Sequence, residues 1–556
     1  MASSPRQTDT RAESLQISFY YKDVTRDEIE QHAKILSTSE TLDQIDICCA
    51  TFPPKGLITL AQGVKLNKTL GRFRLVTRSE YDCTARGTEP AHETLVKKRG
   101  DAEDLTALGD ALATHPTLTH LVTNGLLLND LEMKAFASAF SSPHLQSIDL
   151  SQAIADPSSS LQKIVDAVAS CNLQFFSLNR NKLNTEHIPL VAKIIETTPC
   201  KELFFNSNQL SNLAPLLAAA AKNPHLKTLS LDGNKISSCE EEEKETIGTY
   251  LKRASLDHLS LSYNPLGKNI AEALAEGLSE HPSLHTLDLT KTNVHQGAVA
   301  LFQALKTNRS LLEINWNNGS LALEQARNLH GRHRRQAPVL PIEGLADAMY
   351  EGLFNNPTLQ ILRLNENPLG PNAMRVLAKA IENVPRKDSE GNDLPCGISG
   401  LKMLSLLGTQ AQEGAASLMA SLRYNTILED LNLENNAIDG SETLDKTQRF
   451  LYQLGYTLSR NQTLKKLSIG ENRIGPITEI AQGLAVNSSL TSLDLGLRYS
   501  CIGPESPILS ALETNKSILQ LIYNSILVGK KVSETIERFL DRNKQLLEQQ
   551  PATSET

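Results

Sequence analysis

The stretches Leu226-Lys-Thr-Leu-Ser-Leu-Asp-Gly-Asn234-Lys-Ile236 and Leu256-Asp-His-Leu-Ser-Leu-Ser-Tyr-Asn264-Pro-Leu266 align without a gap. Leucine holds the first, fourth and sixth places, asparagine the ninth, and an aliphatic residue the eleventh. The frame returns from Leu173 to Leu183, Cys200 to Leu210, Leu359 to Leu369, Leu428 to Ile438 and Leu464 to Ile474. Degenerate copies open at Leu118, Leu145, Leu284, Leu311, Leu401, Leu490 and Ile518. Leu42 and Leu70 open earlier strands, and Leu15-Gln-Ile-Ser-Phe19 reads as a first one. That makes roughly fifteen to seventeen units of one repeating structure. From Leu118 to Leu311 the starts are 26 to 30 residues apart.

Each place in the frame has a physical duty. Alternating leucines specify a strand with one buried face. The ninth-place asparagine is a short amide able to bond backbone groups where the strand ends, joining one coil to the next. Thr292 and Thr409 stand at that place in two coils and offer a hydroxyl instead. Between strands come apolar residues at helical spacing, as in Ile270-Ala-Glu-Ala-Leu-Ala-Glu-Gly-Leu278, stopped by His-Pro or Asn-Pro. Strands about 4.8 Å apart, joined to helices that need roughly 8–10 Å, predict a curved stack with a parallel inner sheet.

This pattern resembles the ribonuclease-inhibitor-like leucine-rich repeats, found also in NOD-like receptor sensor domains, RanGAP and effectors of intracellular bacteria. The fold class expected is α/β: a leucine-rich repeat solenoid, horseshoe-shaped, with outer helices. Residues 1–14 are expected to be disordered, 15–41 to form an amino-terminal cap, 42–530 to carry the repeats, 531–550 to form a capping helix and 551–556 a disordered tail. Over-long units place loop insertions near 76–104, 322–358 and 384–400.

Composition limits the function classes. The 556 residues carry 55 basic and 63 acidic side chains, a net charge of -8, and only 4% aromatics. That balance argues against nucleic acid as the partner, because backbone binding needs a concentrated basic surface. No apolar stretch matches a secretory signal or a membrane span, so a cytoplasmic chain, monomeric on its own, is expected. The eight cysteines are scattered without a CxxC pair, which reads as reduced thiols used for packing. Phosphate-loop, HExxH, GxSxG and metal-spacing motifs are missing from the sequence, so no cofactor, no metal and no enzymatic activity is expected.

A protein partner is expected on the concave face, where residues between the leucines point away from the core. At the third, fifth and seventh places stand Asp149, Glu202, Asp232, Asp288, Glu313, Asp430, Glu434 and Asp494, with few bases, chiefly Arg363 and Lys466. Phe175 and Phe204 fall on adjacent coils of the same face. An acidic wall with an aromatic pair suits a partner with a basic surface, the charges setting approach and the rings serving as anchors. Trp316 occupies a leucine place and is assigned to the core.

Two further features stand outside this wall. Arg327, Arg332, Arg334 and Arg335 form a basic cluster in one insertion, a docking loop for an acidic protein or a phosphoinositide head group. The resemblance to RanGAP, whose early charged loop carries an arginine that enters a GTPase site, implies an alternative reading: GTPase activation through Arg78 or Arg86. The resemblance to bacterial effectors, and a polar end reading Leu546-Leu-Glu-Gln-Gln-Pro-Ala-Thr-Ser-Glu-Thr556, imply secretion into a host cytoplasm.

Overall fold

The computed structural model describes residues 15–20, 22–76, 100–169, 171–237, 239–319, 321, 342–382, 386–387, 393–394, 397–438, 444–472, 474, 477–496, 502 and 505–549. The terminal stretches 1–14 and 551–556, and with them Arg78, Arg86, Arg327, Arg332, Arg334 and Arg335, lie outside the described residues.

The chain divides into two units, residues 1–235 with 254–256, and residues 236–253 with 257–556. Among the described residues the first carries eight strands: β1 (Leu15–Tyr20), β2 (Leu42–Cys48), β3 (Arg72–Val76), β4 (His120–Val122), β5 (Ser147–Asp149), β6 (Phe175–Ser177), β7 (Glu202–Phe204) and β8 (Thr228–Ser230). Each pairs in parallel with the next along the sequence. The register runs one apolar row across them: Ile17, Ile45, Phe73, Leu121, Ile148, Phe176, Leu203 and Leu229. All of these are buried. A one-residue slip anywhere would turn a whole strand's apolar set to solvent, which is why the frame fixes the pairing.

The second unit repeats the arrangement with β9 (His258–Ser260), β10 (Thr286–Asp288), β11 (Glu313–Asn315) and β12 (Ile361–Arg363), then β15 (Met403–Ser405), β16 (Asp430–Asn432), β17 (Lys466–Ser468), β18 (Ser492–Asp494) and β19 (Gln520–Ile522). These too pair in parallel in chain order. Helices alternate with strands in both units, which makes each an α/β leucine-rich repeat stack. Successive helices pack closely where small residues face each other; a Cβ added to Gly277 would stand 2.7 Å from the Gly248 carbonyl oxygen. Among the described residues no helix is long and apolar enough to cross a membrane.

Two rows of asparagine tie the coils together. At the ninth place, Asn208 Nδ2 donates to the Leu178 carbonyl of the preceding coil at 3.1 Å, while its Oδ1 accepts from the amides of Asn181 and Leu183 at 2.9 and 3.1 Å. Asn436 and Asn472 do the same in the second unit, reaching the Leu406 and Leu433 carbonyls at 2.7 and 2.8 Å. The second row lies three residues before the frame. Asn487 Nδ2 donates to the Leu458 carbonyl at 2.7 Å, and its Oδ1 accepts from the Leu490 amide at 2.7 Å. Asn67, Asn223, Asn308, Asn356, Asn425, Asn461 and Asn515 reach back to earlier carbonyls in the same way. From sequence alone the Asn-Pro at this place reads only as a helix stop.

Three segments differ in extent or role from the sequence expectation. Leu15–Tyr20 pairs with Leu42–Cys48 and is followed by the helix Arg26–Thr38, so residues 15–41 make a complete strand–helix coil. Within 322–358, Leu345–Phe354 is a helix with Leu345, Ala348, Met349 and Leu353 buried. The expected insertion ran too far because the strand-to-strand gap includes the helix every coil possesses. Within 384–400, β13 (Arg386–Lys387) and β14 (Asp393–Leu394) form a short antiparallel pair. At the other end the helix Lys530–Glu548 buries Val532, Ile536, Leu540 and Asn543 against the last coil.

Candidate functional site

Turning the leucines inward leaves the alternate strand residues on the opposite, open face. In the first unit the third-place row reads Gln16, Gln44, Arg72, His120, Ser147, Phe175, Glu202, Thr228, and the fifth-place row Ser18, Asp46, Arg74, Val122, Asp149, Ser177, Phe204, Ser230. Phe175 and Phe204 lie one coil apart with ring centroids 5.1 Å apart and planes tilted by 34°. Both are half-buried. Glu202 is the register partner of Phe175 and is exposed. Asp149 accepts from the Ser151 amide at 2.9 Å. Asp232, at the seventh place two coils on from Phe175, accepts from Ser230 Oγ at 3.3 Å. The structure therefore brings together five residues singled out by the sequence: two rings bordered by three carboxylates.

In the second unit Asp288 accepts from Ser262 Oγ at 2.6 Å and from the Thr290 amide at 2.8 Å. Glu313 and Arg363 form an ion pair, and Arg363 also donates to Asn315 Oδ1 at 2.7 Å. These two expected site residues satisfy each other, so neither presents a lone charge. Further along lie Asp430, Glu434 and Asp494. Burial pushes the Asp430 carboxyl up, against the pull of Lys466 and Arg363. Burial also raises Glu434, and the charges of Asp494 and Glu471 raise it more. Asp494 is raised by burial and by Glu471, while the Gly496 amide opposes the shift. Half-buried carboxyls crowded in this way gain from any cation placed among them.

The wall is less uniformly acidic than the sequence reading has it. Arg72 and Arg74 stand exposed on the open face of β3, beside His120 of β4. Both occupy the third and fifth places of the Leu70 frame, so the same counting would have found them. Apolar Ile361 and Met403 are register partners in the second unit. Trp316 is 2% exposed and stacks on Phe302 at 5.5 Å, a core residue. Cys48, Cys49, Cys171, Cys200 and Cys239 are buried and form no disulfide among the described residues. Burial pushes the Cys200 thiol up to about 12, far from the range of a nucleophilic thiolate.

A leucine-rich repeat family model matches residues 222–238, 254–275 and 355–378. The ribonuclease inhibitor of Mus musculus is 27% identical over 314 residues, covering 53% of this chain and 62% of its own length. The chain has the leucine-rich repeat fold and is similar in sequence to that ribonuclease inhibitor. The Tonsoku-like protein of Danio rerio is 32% identical over 136 residues, 23% of this chain. That match spans only 9% of the Tonsoku-like protein. The TLR13–ssRNA13 complex covers 90% of this repeat chain and 72% of its own, at 13% identity and a TM-score of 0.41.

Proposed function

We propose that this leucine-rich repeat chain is a non-enzymatic protein-binding module whose partner presents a basic surface to the open face of the strands. The observation that supports it best is the Phe175–Phe204 pair bordered by Asp149, Glu202 and Asp232. Rings of this kind lose little entropy on binding and gain from desolvation, while the carboxylates steer a cationic partner and select its sign. A lysine or arginine laid across the rings adds a cation–π term.

The relative named a ribonuclease inhibitor supplies a defined probe. A basic pancreatic-type ribonuclease titrated against the chain should bind, more weakly as salt rises. Reversal of Glu202 and Asp232, which border the rings in the first unit, to lysine should weaken it by about tenfold, because two attractive contacts become repulsive. Glu202→Lys alone should leave the unfolding midpoint almost unmoved, since Glu202 is exposed. Binding that survives the reversal unchanged places the partner elsewhere on the chain. An absence of binding to basic proteins across a panel removes the reading.

A further inference from the structure

Beyond the acidic wall, we propose that the open face of β3 and β4 is a second recognition site, taking a phosphoryl group carried on a side chain of a protein partner. Arg72 and Arg74 are two residues apart on one strand, either side of buried Phe73, so both guanidinium groups project from the same face. Both are exposed, and neither guanidinium forms an ion pair or hydrogen bond with a described residue. His120 is the register partner of Arg72 and stands half-buried beside it.

The reason these arginines are uncommitted is visible next door. Asp46 is the register partner of Arg74 and would be its natural counter-ion. Its Oδ2 instead accepts from Gln16 Nε2, Tyr20 hydroxyl and Gln44 Nε2, the last two at 3.0 Å. Neutral donors hold the carboxylate on 5% exposed Asp46, and its buried Oδ1 has no partner among the described residues. Arg74 is thereby left facing solvent, alongside Arg72. Two adjacent guanidinium groups match one dianionic phosphoryl group, which offers fork-shaped acceptors to both. An extended polyanion fits poorly: the net charge is -8, and the coils that follow place Asp149 and Glu202 on the same face.

The test uses the full chain and a thermal melt at constant ionic strength, comparing phosphate with chloride. Phosphate and a Gly-phosphoserine-Gly peptide at about 20 mM should each raise the midpoint by a few degrees, the peptide at least as much as the free ion. Arg72→Gln with Arg74→Gln should abolish the rise while leaving the midpoint in chloride unchanged, as both side chains are exposed. Asp46→Asn removes the nearby negative charge and should tighten phosphate binding by about fivefold. A rise that persists in the double variant overturns the site. A response to free phosphate but not to the peptide overturns the protein-borne source. A single-stranded oligonucleotide that binds more tightly than the peptide, and needs the same arginines, overturns the class of partner. Failure of the ribonuclease experiment leaves this site untouched, because none of its residues belongs to the acidic wall.

Discussion

At the scale of single residues, the repeat shows its chemistry most clearly where it departs from its own consensus. Histidine replaces the second-row asparagine at position 281. His281 Nδ1 accepts from the amides of Ser283 and Leu284 at 3.2 and 3.0 Å, which an asparagine oxygen does elsewhere. The ring is 3% exposed, and burial brings its pKa from 6.5 down to about 4. The folded state therefore disfavours the imidazolium. The stability this neutral ring provides is complete above pH 6.5, falls as the solution is acidified, and is fully lost below about 4. His281→Asn keeps an acceptor for both amides and cannot be protonated. It should flatten the acid limb of the stability curve by up to about 3 kcal/mol between neutral pH and pH 4, measured by urea unfolding. An unchanged acid limb would show that His281 is solvated in solution. A second residue-scale prediction concerns the eighth place, which is left-handed in coil after coil: φ is 58° at Arg180, 58° at Tyr263, 55° at Lys291 and 64° at Gly233. A Cβ on Gly233 would meet nothing closer than 3.5 Å, so Gly233→Ala is strained by backbone alone. A loss of about 1 kcal/mol is expected in equilibrium unfolding.

At the scale of elements, the two asparagine rows explain why strands of three residues suffice. A three-residue strand makes few ladder bonds, and the backbone on either side of it needs other partners. Side-chain amides supply them from the adjoining coil. Asn436 Oδ1 accepts from the amides of Thr409 and Ala411 at 2.9 and 3.0 Å while its Nδ2 donates to Leu406. Asn436→Ala would strand all of these in a buried setting and should destabilise the second unit by about 3 kcal/mol or more. Thr409→Ala removes a hydroxyl whose single proton is shared between the Leu406 carbonyl and Asn436 Oδ1, each 2.9 Å away, and should cost about 1 kcal/mol. Equal losses for the two would refute the view that the amide carries the joint. The helix Lys530–Glu548 ends the stack by the same means. Asn543 donates to the Ile518 carbonyl at 2.8 Å, and Arg542 reaches the Leu512, Glu513 and Asn515 carbonyls at 3.0, 2.7 and 2.6 Å. A polar helix thus supplies, from side chains, the bonds that another coil would have made. Amides near Ile518 should lose hydrogen-exchange protection in Asn543→Ala and keep it in the exposed control Lys544→Ala.

At the scale of the molecule, strand places and core were legible in the sequence because leucine period, register and burial are one constraint. Phe175 and Phe204 were legible for the same reason: counting places predicts which coils they share. Arg72 and Arg74 obey that counting but sit in a coil with no ninth-place asparagine, so nothing marked them for attention. The Glu313–Arg363 pair was not legible as a pair: Leu311 and Leu359 open successive units, but spacing does not say which neighbouring carboxylate a guanidinium takes. Nor was the state of the acids: their crowding is a matter of depth, which spacing does not encode. Under the proposed function, that crowding would set stability against binding. Glu434 is raised above its unfolded value, so the fold prefers it protonated; stability is highest below the ordinary carboxylate range and is lost as pH rises through the raised value. Glu434→Gln should therefore stabilise the second unit at pH 7, and the gain should vanish below the ordinary carboxylate range, where the native carboxyl is itself neutral. The same substitution removes one charge from the face offered to a basic partner, so ribonuclease binding at low salt should weaken while the fold strengthens. Opposite movement of the two quantities is the signature of an acid kept for recognition at a cost to the fold. If Glu434→Gln raised stability and left binding intact at every salt concentration, the acids around β16 to β18 would have to be removed from the docking surface.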